Sequence, residues 1–88
     1  MPADRPDIRL SRHAIERMTQ RGIDISLIER TILAPDSTRP DGIDEGLMHY
    51  LKALPEFGDR VLRVVVRSVA PSTVIVVTAF IDRAARSR

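Results

Sequence analysis

The sequence predicts a single α+β domain in which two helices come before the strands of a sheet. Apolar residues recur at helical spacing in the first third of the chain, and two long runs of β-branched residues occupy the last third. We expect this domain to cover residues 10–82. Residues 1–9 are then a lead-in or an edge strand, and residues 83–88 form a basic tail.

Local signals place the two helices. The first is expected over residues 12–21, because Ser11 is a typical N-cap and Gly22 is a typical C-terminal stop. The second begins after Asp24 and carries one apolar stripe. It ends before Pro35, because proline disfavours helical backbone in the preceding residue.

The strands follow a polar segment. Residues 36–46 contain several helix and strand breakers, and we expect a loop there. Strands are predicted over Leu47–Leu54, Arg60–Val69 and Val74–Ile81, and Ile8–Leu10 is a candidate edge strand.

The alternation of side chains fixes a register for the final hairpin. With residues 70–73 as its loop, one face is entirely apolar and faces the helices. That face contains Leu62, Val64, Val66, Ile75, Val77, Ala79 and Ile81. Arg63 and Arg67 then point away from the core, with Thr78 and Phe80 beside them.

Composition excludes several classes of protein. The longest apolar runs, Val64–Val66 and Val74–Val77, are far shorter than the roughly 20 residues of a membrane-spanning helix. The chain has no cysteine, which excludes disulfides, thiolate catalysis and zinc bound by thiolates. The charged start, Met1–Pro6, does not resemble a secretion signal, and we expect a cytoplasmic protein.

The positive charge is concentrated near the C-terminus. Residues 36–59 contain six acidic residues against Arg39 and Lys52, whereas residues 60–88 contain six arginines against Asp82 alone. Arginine suits bidentate recognition of phosphate, so we expect a polyanionic partner, with nucleic acid first. A GC-rich genome would also explain the preference for arginine over lysine.

Two groups of polar residues are candidates for chemistry. His13, Arg17 and Arg21 lie four residues apart, on one stripe of the first helix. An imidazole beside a guanidinium can move a proton and hold a phosphate, although a solvated helix face explains the same pattern. Arg63 and Arg67 interrupt an aliphatic strand. They either pair with acidic residues of the 36–59 segment or line a phosphate-binding surface.

Cofactor and metal sites are not expected. The chain has no glycine-rich phosphate loop and no serine nucleophile motif. His49 and Tyr50 are further acid–base candidates, but His49 has no spacing relation to His13 that would indicate a metal pair.

Several of these segments resemble one family. They are Ser11–Met18 with Arg21-Gly22-Ile23, Leu33–Asp36, Leu62–Val66 and Val76–Phe80. Over roughly residues 10 to 82 the chain resembles the bacterial domain-of-unknown-function family 4258. That family looks related to the ribonucleases of the barnase, EndoU, colicin and RelE group and to BrnT-type toxins. The resemblance implies two helices packed on a curved antiparallel sheet of about four strands.

The resemblance also implies metal-independent cleavage of RNA, as the toxin of a toxin–antitoxin pair. It puts His13, Arg17, Arg63 and Thr78 at recurrent polar positions. Phe80 stands where relatives usually have tyrosine, so a hydroxyl that can act as acid or phosphate donor is missing.

A mechanism follows from this hypothesis. The 2′-hydroxyl of RNA attacks the adjacent phosphorus, with His13 as general base or acid and with Arg17 and Arg63 holding the phosphate. Thr78 is a secondary donor. Flanking phosphates are assigned to Arg21, Arg67, Arg83 and Arg86. The mechanism requires that His13 and Arg63 lie close enough for one phosphate to contact both.

Two other functions remain open. The chain is alternatively a catalytically inactive interaction module, with Leu47–Leu54 and the N-terminal strand as open edges for a homodimer or another partner. A DNA-binding helical hairpin ranks last, because the second helix exposes only Glu29 and Arg30 as charges. The toxin hypothesis implies RNA as substrate and an acidic antitoxin protein as partner.

Overall fold

The computed structural model describes residues 6–85. In that part of the chain, two helices, five strands and one short 3-10 turn follow one another. They are β1 (Asp7–Leu10), α1 (Arg12–Arg21), α2 (Ile25–Leu33), β2 (Ser37–Pro40), β3 (Leu47–Leu54), the turn Pro55–Phe57, β4 (Arg60–Ala70) and β5 (Thr73–Asp82). The predicted α+β class is confirmed.

The strands form one sheet in the order β1-β5-β4-β3-β2. β1 is parallel to β5, and the other neighbours are antiparallel. The sheet is therefore mixed and has five strands, which corrects the expectation of an antiparallel sheet of about four. The extra strand is β2, whose four residues are all exposed and carry no apolar alternation that a sequence pattern could reveal.

The predicted helix bounds agree with the structure because local signals set them. The Ser11 hydroxyl accepts a hydrogen bond from the Ala14 N–H at 3.0 Å and caps α1. Gly22 ends α1 in the left-handed region, with φ of 68°. α2 begins after Asp24, as predicted.

The helices cover one face of the sheet. α1 packs on β5, and α2 packs on β3 and β4. Leu62, Val64 and Val66 of β4 are completely buried in this core together with Ala14 and Ile28. Because side chains alternate along a strand, Arg63 and Arg67 point to the opposite face, as predicted. We call that opposite side the open face.

Two irregularities change the predicted register of the hairpin. The predicted pairing holds where Arg63 lies opposite Phe80, but it shifts between Val65 and Val66 and returns after Ser68. Between the shifts, Val66 lies opposite Val76. Val74 and Val76 are therefore buried, whereas Ile75 and Val77, predicted for the core, are half-buried. A β-bulge of this kind exchanges the faces of a strand locally.

The edges of the sheet are β1 and β2. The prediction that Leu47–Leu54 is an open edge is wrong, because β2 pairs with it from Ser37 to Pro40. The candidate edge strand at Ile8–Leu10 forms within β1. Neither α1 nor α2 has the length and apolar character needed to span a lipid bilayer.

Candidate functional site

Two concave surfaces lie near residues that the sequence singled out. The first is a cleft of about 830 Å³ on the open face, floored by Leu51 and Val61 and bordered by Arg39, Arg63 and Asp82. We call it the open-face cleft. The second is a groove of about 490 Å³ lined by Arg21, Phe57, Arg60, Phe80, Ile81 and Arg83. We call it the arginine groove.

A chain of hydrogen bonds occupies the border of the open-face cleft. Arg63 donates to Asp82 from Nε at 2.8 Å and from Nη2 at 2.6 Å, and its Nη1 contacts His49 Nδ1 at 2.9 Å. His49 Nε2 contacts Asp41 Oδ1 at 2.6 Å. All four side chains are between 14% and 22% exposed, so the network is largely removed from solvent.

The network assigns the protonation of His49. Arginine can only donate, so Nδ1 accepts from Arg63 and Nε2 carries the proton that is donated to Asp41. Asp41 also accepts from the N–H groups of Asp44 and Ile43. These hydrogen bonds, with the one from Asp44 N–H the largest cause, lower the pKa of Asp41 to about 2. Both ring nitrogens of His49 are engaged, so it cannot accept a proton from a substrate without breaking the network.

Arg67 is also paired. Its Nη2 donates to Asp44 Oδ2 at 2.7 Å, and this hydrogen bond holds the pKa of Asp44 below its ordinary value. Of the two alternatives for the strand arginines, Arg67 follows the first, since Asp44 belongs to the 36–59 segment. Arg63 pairs instead with Asp82, which lies outside that segment. Both guanidiniums are thus paired with carboxylates in this arrangement.

The arginine groove differs from the open face, where Arg63 and Arg67 are paired with carboxylates. Arg21 is at the C-terminal end of α1, Arg60 begins β4, and Arg83 follows β5. No carboxylate lines the groove, and among the described residues none of the three arginines has a carboxylate within 4.0 Å. Three positive charges therefore face one surface without compensation.

Neighbouring carboxylates are held away from the groove by other arginines. Glu56, beside Phe57 in sequence, pairs with Arg30 at 2.8 Å, which holds the pKa of Glu56 below its ordinary value. For Asp82, burial is the largest single influence and raises the pKa, but the hydrogen bond and charge of Arg63 together with the N–H groups of Ala84 and Ala85 outweigh it, so the pKa lies below the ordinary value. Both carboxylates are thus ionised partners of arginines outside the groove.

Arg21 is held against Phe80 at one end of the groove. β1 pairs with β5 only from Thr73 to Val76. Beyond that point Arg21 Nη1 donates to the Ala79 carbonyl of β5 at 2.7 Å. Its guanidinium carbon lies over the Phe80 ring, 6.0 Å from the centroid, at the limit of a cation–π contact.

The structure does not bring the predicted catalytic residues together. His13 and Arg17 lie on α1, which packs on the helix-covered face of the sheet, whereas Arg63 points to the open face. The sheet separates them, so one phosphate cannot contact both His13 and Arg63. Within α1, Arg17 Nε donates to His13 Nε2 at 3.4 Å, as the four-residue spacing predicts.

The remaining predicted residues fall in different places. Thr78 is half-buried in β5, opposite Val65. Arg21 and Arg83 meet in the arginine groove, whereas Arg67 is on the open face. Arg86 lies outside the described residues.

Sequence reasoning missed Phe57 and Arg60. Phe57 ends the turn between β3 and β4 and Arg60 begins β4, so the available signal was their closeness in sequence to a strand end. Residues 6–85 contain no group of three or more His, Asp or Glu side chains arranged to hold a metal ion.

Comparisons with known proteins give one result. Residues 10–81 match a family model described as "Domain of unknown function (DUF4258)". No curated protein and no solved structure matches the chain.

Proposed function

We propose that this chain, which belongs to the domain-of-unknown-function family 4258, binds RNA through the arginine groove. One observation carries the proposal: Arg21, Arg60 and Arg83 line one groove without any carboxylate. An arginine fork matches the oxygens of a phosphate, and three uncompensated forks favour a polyanion over a neutral ligand. RNA supplies both a regular series of phosphates and bases for the two phenylalanines.

The stripe on α1 extends this surface. Arg17 and Arg21 are one helical turn apart, and His13 lies one turn before Arg17. An RNA strand with one phosphate on Arg21 can therefore continue along α1 toward His13. The long, flexible Arg17 side chain hydrogen-bonds only His13 and the Gln20 amide in the described part of the chain, so it remains able to contact a phosphate.

The test is binding of a fluorescently labelled single-stranded RNA to the full chain, followed by anisotropy at several salt concentrations. We expect Arg60→Ala and Arg83→Ala each to weaken binding and to reduce the slope of log K against log salt by about 0.7. Arg39→Ala is the matched control, because Arg39 is an exposed arginine on the open face, away from the groove. Equal losses in all three variants, or no binding at all, would contradict the proposal.

A second candidate function is metal-independent cleavage of the bound RNA, as in the ribonuclease toxins. The contact between His13 and Arg17 favours it, because His13 is exposed and its Nε2 makes only a long hydrogen bond of 3.4 Å. We propose that His13 takes the proton of a 2′-hydroxyl while Arg17 stabilises the charge on the phosphate. The 2′-oxygen then bonds to phosphorus as the bond between phosphorus and the 5′-oxygen breaks, and the leaving 5′-oxygen takes a proton from solvent water, which yields a 2′,3′-cyclic phosphate and a 5′-hydroxyl.

This second function implies that the fold is related to that of the RelE and barnase group. The order of two helices before an antiparallel hairpin supports that relation. It also includes an acidic antitoxin that covers the arginines. Incubation of RNA with the protein and a chelator tests it. Cleavage that His13→Ala abolishes, with RNA binding retained, supports the enzyme. Binding without cleavage leaves an RNA-binding protein, and unchanged cleavage by His13→Ala contradicts the role of His13.

A further inference from the structure

We propose that the arginine groove takes one unstacked nucleotide, with its base against the aromatic rings and its phosphate on the arginines. This rests on the proposed function and specifies its ligand as single-stranded rather than duplex nucleic acid. The starting observation is that two of the three aromatic side chains of the protein, Phe57 and Phe80, line this one groove.

The groove offers planar surfaces for a base. Phe57 comes from the turn before β4 and Phe80 from β5, so two separate elements bring their rings to the same surface. Both residues are half-buried, which leaves part of each ring accessible. The guanidinium of Arg21 adds a third planar group, and its hydrogen bond to Ala79 fixes its position beside Phe80. Bases stack on phenylalanine rings and on arginine planes alike.

The two remaining arginines are placed for the phosphate. Arg60 and Arg83 flank the rings on β4 and after β5, and neither has a carboxylate partner among the described residues. A phosphate attached to a stacked nucleoside lies beside its base, where a guanidinium at the rim of the groove can reach it. The combination of rings and cations in one groove is the pattern of single-strand binding sites.

The size of the groove and the stacking of bases inside a duplex both favour single-stranded over double-stranded nucleic acid as the ligand. A volume of about 490 Å³ is within the range of sites for small ligands, which is the scale of one nucleotide. Bases inside a duplex are stacked on each other and cannot reach a protein ring without being flipped out, at a cost of a few kcal/mol. The groove therefore selects strands whose bases are already free.

The experiment compares the full chain with Phe80→Leu and Phe80→Tyr, using labelled single-stranded RNA and the same sequence as a duplex. We expect the native protein to prefer the single strand and Phe80→Leu to weaken single-strand binding about 5-fold or more, since stacking is worth roughly 1–3 kcal/mol per base. Phe80→Tyr keeps the ring and should retain affinity. Tyr50→Leu is the matched control, because Tyr50 packs against the helix-covered core.

Competition separates the base from the phosphate. Adenosine 5′-monophosphate should displace the labelled strand at a concentration where inorganic phosphate at equal ionic strength does not. Equal binding of single strand and duplex, equal loss in Phe80→Leu and Tyr50→Leu, or equal competition by the two small molecules overturns the nucleotide site. Those results leave RNA binding itself intact, whereas failure of every nucleic acid to bind removes the proposed function as well.

Discussion

Arg63 and Asp82 form a two-bonded ion pair across β4 and β5, and this pair also shapes the turn that follows β5. Asp82 Oδ2 accepts from Nε and Nη2 of Arg63, while Oδ1 accepts from the N–H groups of Ala84 at 2.9 Å and Ala85 at 3.2 Å. The turn carries Arg83 into the arginine groove. Arg63 thus helps to fix the turn that places Arg83 in the groove, as a positioning residue.

We expect Arg63→Lys to lower the free energy of unfolding by about 1–2 kcal/mol, because an ammonium cannot replace both bonds to Asp82 and the one to His49. Urea denaturation measures the change. Arg9→Lys is the matched control, since the Arg9–Asp7 pair is 68% and 52% exposed and should contribute little. Similar losses in the two variants would mean that the network around Arg63 adds no stability.

Acid should destabilise the protein through Asp41. Its pKa is lowered from 3.8 to about 2 in the folded chain, so its stabilising contribution is complete above the unfolded value and disappears as the pH falls between these two values. In Asp41→Asn, the amide oxygen can still accept from the backbone, but the amide NH₂ then faces the N–H of His49. The variant should be less stable than the native chain near neutral pH, and the difference should shrink as the pH falls to about 2.

Urea denaturation at several pH values checks this expectation. Glu45→Gln, at an exposed carboxylate in the same loop, is the control and should show no comparable convergence. A stability difference for Asp41→Asn that is constant over the whole pH range would count against the network described above.

When alanine replaces glycine, we expect the uncrowded position Gly22 to lose more stability than the crowded position Gly46. A Cβ at Gly22 would contact nothing within 4 Å, but its φ of 68° is strained for other residues, and we expect a loss of about 1 kcal/mol. A Cβ at Gly46 would approach Arg67 Nη1 to 2.5 Å. Because that atom ends a flexible, 43% exposed side chain, Arg67 can move, at the expense of its pair with Asp44. Thermal unfolding of both variants should show the larger loss in Gly22→Ala, and the reverse order would refute this.

The sequence allowed prediction of elements whose signals are local. Ser11 and Gly22 mark the ends of α1 by their own side chain and backbone, and the β-branched runs define β4 and β5. The strand β2 was missed because only its backbone pairs with β3. The shift after Val65 depends on packing across strands, which alternation within one strand does not reveal.

The candidate site was less predictable for a related reason. Arg21 and Arg83 were each recognised as basic residues, but their meeting with Phe57 and Arg60 depends on how α1, the turn and β5 converge. The expected approach of His13 to Arg63 failed because the sheet lies between them. Residue type indicated an anionic ligand, whereas the tertiary fold determined which residues line the same groove.

The parallel pairing of β1 with β5 has a consequence for the order of folding. Asp7 lies opposite Thr73, so this contact closes a loop that runs from residue 7 to residue 73, and its entropic cost is recovered only once β5 is held in place by its pairing with β4. We expect β1 to dock last, after β4 and β5 have paired. Pulse-labelled hydrogen exchange during refolding would then show the amide of Asp7, bonded to the Ser72 carbonyl, protected later than the amides within the β4–β5 hairpin.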